Sequence, residues 1–274
     1  MNNNDGEADM SARKAIFITG AASGIGLASA KRFSAEGWVV GLSDIDEAGL
    51  ARALAEIGPA NGSIHPLDVR DRQAWTPALS AFVERSGGRL DVLFNNAGVA
   101  RFGPFSESDP QGDDLMLAVN VQGVLNGARA ALPFLKATPG SRLVNMASCA
   151  GIYGSPGLAV YSATKFAVRG LSEALDAEFA AFGVSVACVM PWFVETPILR
   201  NSQPGKNADM GEELRKSGLP VYGVDEAAQT VWQAAHGREL YYLVGKRARQ
   251  MRFMARLAPG FLRNQLRSRS PTTA

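Results

Sequence analysis

Short apolar runs rich in β-branched and aromatic residues recur along the chain, separated by longer stretches with amphipathic, helix-like spacing. Ala15 to Thr19, Trp38 to Ser43, Ser63 to Leu67, Leu90 to Phe94, Arg142 to Met146, Ser185 to Val189 and Leu240 to Val244 each read as a strand. Between them come a helix opening near Gly24, helices over Asp46 to Ile57 and Asp71 to Ser86, and a long one after Asp109. Parallel strands need a crossover helix between them, so this alternation predicts an α/β, doubly wound, Rossmann-type seven-stranded parallel sheet flanked by helices on both faces. Ligands of such sheets bind beyond the carboxyl ends of the strands, near the point where strand order reverses.

The 274 residues, 46% hydrophobic and 20% charged, suit one well-buried domain. We expect a mobile amino-terminal segment over 1–13, a dinucleotide-binding catalytic domain over 14–245 and a basic amphipathic tail over 246–274. The start of the chain does not read as a signal peptide, and no apolar run approaches the ~20 residues that cross a bilayer, so the expected compartment is cytoplasmic. Cys149 and Cys188 have neither the number nor the spacing of a disulfide framework or a zinc site; they are expected to be packing residues, and no metal is expected.

The net charge of +2 hides an asymmetry. Residues 246–274 carry 8 basic and no acidic side chains, which leaves 20 basic against 26 acidic in residues 1–245. A nucleic-acid enzyme would be basic across its binding face, so no nucleic-acid partner is expected. On a helical wheel Arg249, Arg252 and Arg256 share one face of the tail. Met251, Met254, Leu257 and Phe261 lie largely on another, with a break at Pro259-Gly260. Two readings stand: the tail docks on a neighbouring subunit or closes over the active site, or it attaches to an anionic membrane surface.

The turn after the first strand reads Thr19-Gly20-Ala21-Ala22-Ser23-Gly24-Ile25-Gly26. Its glycines permit a tight turn and close approach of a pyrophosphate to the helix amino terminus, which makes Gly20, Ser23, Gly24, Ile25 and Gly26 candidate cofactor contacts. Taken alone, such a turn can also be a plain strand-to-helix connection. Asp44, followed by Ile45 at the end of the second strand, can accept hydrogen bonds from ribose hydroxyls and would repel a 2′-phosphate, which favours NAD. Alternatively Asp44 or Asp46 caps the next helix, a role that suits Asp46 better.

Tyr161 and Lys165 stand one helical turn apart, so both project from one face. A neighbouring ammonium favours the phenolate and would bring Tyr161 toward proton exchange at neutral pH. Ser148, just past the fifth strand, can steady a substrate oxygen as charge changes there. Serine hydrolysis is disfavoured, because the only histidines, His65 and His236, sit in no matching motif.

The TGAASGIG turn, Asp68-Val69, Asn95-Asn96-Ala97-Gly98, Asn120, Ser148, the Tyr161 to Lys165 run and the Pro191 to Thr196 segment together resemble the single-domain short-chain dehydrogenase/reductase family, from about Lys14 to Val244. The resemblance implies NAD-dependent hydride transfer on a small-molecule alcohol or ketone, with Tyr161 as general acid or base and Lys165 on the nicotinamide ribose. It implies that Asp68 and Val69 contact the adenine, that Asn96, Ala97 and Gly98 line the cofactor's floor, and that Asn120 holds a water linking the lysine to solvent. Val194 and Thr196 would bond the nicotinamide carboxamide, with Pro191 a further cofactor contact, and homo-oligomers, tetramers or dimers, would form through the helices carrying Asn120 and Tyr161.

The family usually has glycine where this chain has Trp192. An indole there either borders the pocket, narrowing it or stacking on an aromatic substrate, or packs against the sheet edge. Residues 197–221 fit a mobile substrate lid. Ser148, Tyr153, Tyr161, Trp192, Phe193 and Ile198 are the candidate substrate contacts, and they suggest a hydrophobic or aromatic secondary alcohol or ketone. Two rival readings are a cofactor-binding regulatory protein without turnover, which the intact catalytic set disfavours, and an NAD-using epimerase or dehydratase, for which the remaining chain is short.

Overall fold

The computed structural model describes residues 13–201 and 210–267. Seven strands, β1 (Ala15–Thr19), β2 (Val39–Asp44), β3 (Gly62–Pro66), β4 (Val92–Asn95), β5 (Arg142–Met146), β6 (Ser185–Pro191) and β7 (Tyr241–Val244), form one sheet in the order β3-β2-β1-β4-β5-β6-β7, all parallel. The expected strands are all present, with ends shifted by one or two residues. The helix predicted from Asp71 begins at Trp75, because Asp71 spends its carboxylate on the Gln73 amide in a turn.

Successive side chains of a strand point to opposite faces, and β1 shows the consequence. Ile16 and Ile18 pack under α1 (Gly24–Ala35), α2 (Glu47–Ile57) and α9 (Val224–His236) with Phe33, Leu50 and Val231. Ala15 and Phe17 turn the other way, toward α3 (Trp75–Arg85), α5 (Gly123–Ala137) and α6 (Ala159–Ala180), where Trp75, Phe82 and Leu135 meet them. Each such large side chain, fully withdrawn from water, contributes roughly 1.5–3 kcal/mol. His65 belongs to this second layer: its ring lies tilted against Phe17 and edge-on to Phe82, and burial pushes its imidazole down to about 4. Asp46 caps α2 by accepting from the Gly49 amide, as its position suggested.

The long helix after Asp109 is two helices. Asp109 caps α4 (Pro110–Leu117), which runs through a π turn at Ala118–Gln122 into α5. Beyond β6 the described chain continues through α7 (Pro197–Asn201) and α8 (Met210–Lys216); residues 202–209 of the expected lid lie outside the described residues. After β7 come α10 (Lys246–Leu257) and α11 (Pro259–Arg267). They pack on their own domain: Ala248, Met251 and Leu262 join Cys149, Ile152, Cys188 and Trp192 in a third buried cluster. Residues 1–12 of the 1–13 segment expected to be mobile, and the last tail residues, 268–274, lie outside the described residues.

Candidate active site

Strand order reverses between β1 and β4, and the turns that follow these two strands are tied together. Thr19 Oγ1 accepts from the Asn96 and Ala97 amides at 3.0 and 3.1 Å, and Asn96 Nδ2 donates to the Thr19 carbonyl at 2.9 Å. The glycines are needed for this closeness. Gly20 has φ of +68°, and a Cβ there would lie 2.9 Å from Asn96 Nδ2. A Cβ on Gly26 would collide with the Gly20 carbonyl oxygen. Ser23 opens α1 without a side-chain cap, which leaves the first-turn amides of Gly24, Ile25 and Gly26 to an anion. This cradle fits a dinucleotide pyrophosphate.

Asp44 ends β2 beside the same turn. Its Oδ2 accepts from the Ala22 amide at 3.1 Å and its Oδ1 from the Ile45 and Asp46 amides at 2.7 and 3.1 Å, so the carboxylate is oriented by main chain. Ile45 projects into solvent next to it. Asp68 is gripped by Arg70, whose Nε lies 2.9 Å from both carboxylate oxygens, and this contact holds the acid below its usual range. Val69 is buried, and its carbonyl accepts from Trp75 Nε1 and Asn126 Nδ2.

The catalytic candidates converge from three elements. Asn120 occupies the π turn, a widened turn often found at functional sites, and is fully buried. Its Nδ2 donates to the Val99 carbonyl and to Thr164 Oγ1 at 2.8 and 3.2 Å, and its Oδ1 accepts from the Val99 amide at 2.8 Å. Both amide hydrogens are used, which leaves one acceptor position on Oδ1. A Cβ on Gly98 would stand 3.2 Å from that oxygen and 3.6 Å from Lys165 Nζ, so the turn after β4 and the two polar side chains share one spot. Thr164, absent from the residues singled out by sequence, links Asn120 to α6 and donates to the Tyr161 carbonyl at 2.7 Å. A threonine beside the candidate lysine Lys165 was the available signal.

Tyr161 hydrogen-bonds Ser148, and Lys165 Nζ lies 5.5 Å from the Tyr161 ring centre while donating to the Met146 carbonyl at 3.0 Å. The electrostatics differ from the expectation. Burial pushes the Tyr161 phenol up to about 12, against the downward pull of Ser148, and pushes Lys165 down to about 8. Desolvation disfavours both charged forms and is the largest influence on each. Cys149 and Cys188, both buried and unpaired, are pushed up to about 12 by burial and behave as packing residues.

Pro191 closes β6, opposite Val244 on β7. Val194 pairs with Tyr222, and Thr196, buried, comes back over the glycine turn, its Cγ2 3.3 Å from where a Gly24 Cβ would be. Next to this segment is a cavity of about 890 Å³ walled by Phe102, Phe105, Tyr153, Leu158, Trp192 and Phe193, among others. Trp192 is buried against α10 and α11 and also lines the cavity, with its indole edge-on to Phe193. Ile198 lies apart from the other candidate substrate contacts on this segment. It is 37% exposed and off the cavity wall, because the short α7 turns it outward. Ser148 and Tyr161 also lie off this wall, although Tyr161 directly follows its Leu158 to Val160 stretch. The walls supplied by Arg101, Met210, Arg247 and Met251 were not legible, since nothing local marks a residue that reaches a pocket only by long-range packing.

The sequence model of the short chain dehydrogenase family matches residues 14–207. The chain belongs to that family and is an oxidoreductase. It is 40% identical over 195 residues, 70% of this chain and 78% of the relative, to the 2,5-dichloro-2,5-cyclohexadiene-1,4-diol dehydrogenase LinX of Sphingobium indicum. Among solved structures it superposes on a short chain dehydrogenase/reductase of Burkholderia phymatum in complex with NAD, with a TM-score of 0.79 and 28% identity, covering 94% of this chain and 97% of that one. A short chain dehydrogenase of Burkholderia cenocepacia in complex with NADP gives 0.78 and 25%, covering 93% and 97%.

Proposed function

We propose that this short-chain dehydrogenase uses NAD to interconvert a hydrophobic secondary alcohol and its ketone, with Asn120, Ser148, Tyr161 and Lys165 as the catalytic set. The observation that carries the reading is the convergence of Tyr161, hydrogen-bonded to Ser148, with buried Lys165 and Asn120 beside Gly98 of the cofactor floor. A bound nicotinamide supplies or accepts the hydride. Tyr161 gives its phenolic proton to the carbonyl oxygen in reduction and takes it back in oxidation, and a phenol at about 12 is loaded for donation at neutral pH. Ser148 Oγ steadies the substrate oxygen. Lys165, anchored on Met146, orients the ribose and passes protons toward Asn120, whose remaining acceptor position holds the connecting water.

Asp44 carries the preference for NAD, because a carboxylate already fixed by three amides would face a 2′-phosphate at unfavourable Coulomb cost. The aromatic walls of the cavity favour an apolar, cyclic or aromatic substrate. Exposed Leu117 and Phe166, on α4 and α6, support a homo-oligomer, a tetramer, formed through these helices. Two free cysteines suit a cytoplasmic, reducing compartment. The test is initial rates with NAD and NADP over a panel of cyclic, aromatic and aliphatic secondary alcohols. We expect kcat/KM at least tenfold higher with NAD, a preference that Asp44→Ala erases; NADP preferred by the parent, or no turnover across the panel, would overturn the reading.

A further inference from the structure

Family membership and the active site leave one strong feature unused. Residues 246–267 hold Lys246, Arg247, Arg249, Arg252, Arg256, Arg263 and Arg267 and not one acidic residue. The structure divides them. Arg247 and Arg252 turn inward, over the rings of Trp192 and Tyr241. The other five are exposed, and among the described residues none is ion-paired.

Apolar side chains share that outer surface. The wheel drawn from sequence put Leu257 and Phe261 with Met251 and Met254, but Met251 packs inward, whereas Phe253, Leu257 and Phe261 are 66%, 63% and 62% exposed. On α10 the exposed positions Lys246, Arg249, Gln250, Phe253, Arg256 and Leu257 form one continuous arc centred on Phe253. The opposite arc, Ala248 and Met251, is the one buried in the domain. The helix is therefore amphipathic toward its own protein and carries a second, basic-flanked apolar crest toward the outside.

A crest of large apolar side chains set among unpaired cations matches the two layers of a lipid interface, with acyl chains below and phosphates above. No described helix is long and apolar enough to cross a membrane, so the contact would lie in the interface plane. We infer that the outer face of α10 and α11 docks this protein on an anionic phospholipid bilayer. The same helices wall the substrate cavity from inside with Met251 and Leu266. Docking would therefore hold the cavity's wall against the membrane, where an apolar substrate is concentrated. This inference stands apart from the cofactor and catalytic assignments, since binding is read without turnover.

The full-length protein is sedimented with vesicles of phosphatidylcholine alone and of phosphatidylcholine and phosphatidylglycerol mixed equally. We expect pelleting with the mixed vesicles only, reversed by high salt. At about 1 kcal/mol per basic residue near an anionic surface, Arg249→Glu with Arg256→Glu should lower partitioning at least tenfold. The triple change Phe253→Ser, Leu257→Ser and Phe261→Ser should also lower it, with melting temperature and turnover of soluble substrate kept, because all three side chains are exposed. Absence of pelleting by the parent, or pelleting by either variant equal to the parent's, would overturn the inference. So would a triple variant that keeps vesicle binding but shifts to a smaller species in light scattering, since the crest would then be an interface between subunits.

Discussion

Around the turns after β1, β2 and β4 the cleft is walled by main chain, whereas beyond β6 it is walled by side chains from distant parts of the sequence. On the first side Gly20 and Gly26 let backbones touch, Thr19 and Asn96 stitch two turns together, and Asp44 is aimed by three amides. On the second, Trp192, Phe193, Leu158 and Met251 meet only because β6, α6 and α10 pack against one another. Main chain is common to every residue type, so a wall made of it is rigid and indifferent to the substrate. A wall of side chains can be rebuilt residue by residue, and that is where a family with one chemistry varies its substrates.

Tyr161 stands on the seam between the two sides, and its removal should separate them most sharply. Tyr161→Phe is expected to cost about a thousandfold in kcat while NADH affinity, read by fluorescence titration, stays within twofold. Loss of cofactor affinity in parallel with kcat would mean that the two sides are not independent. Trp192→Ala comes next. It opens a void between the cavity and α10, and should destabilise the fold by roughly 3–5 kcal/mol in denaturant titration and raise KM for apolar substrates, with NADH affinity unchanged.

The smallest of the three effects lies in the core layer beneath the cleft and is driven by pH. His65 is held at about 4 by burial against an unfolded value near 6.5, so the unfolded chain binds more protons between these values. Its contribution is complete above about pH 6.5 and is lost as pH falls through 4, on the order of 3 kcal/mol. Melting temperature measured from pH 7 to 4 should fall less steeply in His65→Gln than in the parent; identical slopes would show that other groups govern the acid limb.

The cofactor side was the legible one. Gly20, Gly26, Asp44 and Asn96 act through backbone geometry and local hydrogen bonds, which depend on residue type at fixed short offsets. Asp46 as the α2 cap and the Tyr161–Lys165 spacing were readable for the same reason. The protonation balance of that pair was not. Spacing brings ammonium and phenol together, but burial, a property of everything packed around α6, pushes Tyr161 up and Lys165 down.

By itself the amino-acid sequence determined the seven-stranded doubly wound sheet, the glycine turn, the acid after β2 and the one-turn spacing of Tyr161 and Lys165, because periodicity and spacing are local quantities. Only the tertiary structure decided that Asn120 sits in a π turn tied to Thr164, that Trp192 is both core and cavity wall, and that Ile198 faces away. It also decided which face of the basic tail is spent on the domain and which is left outside. Those outcomes depend on contacts between residues far apart in the chain, whose partners are fixed only when the helices settle on the sheet.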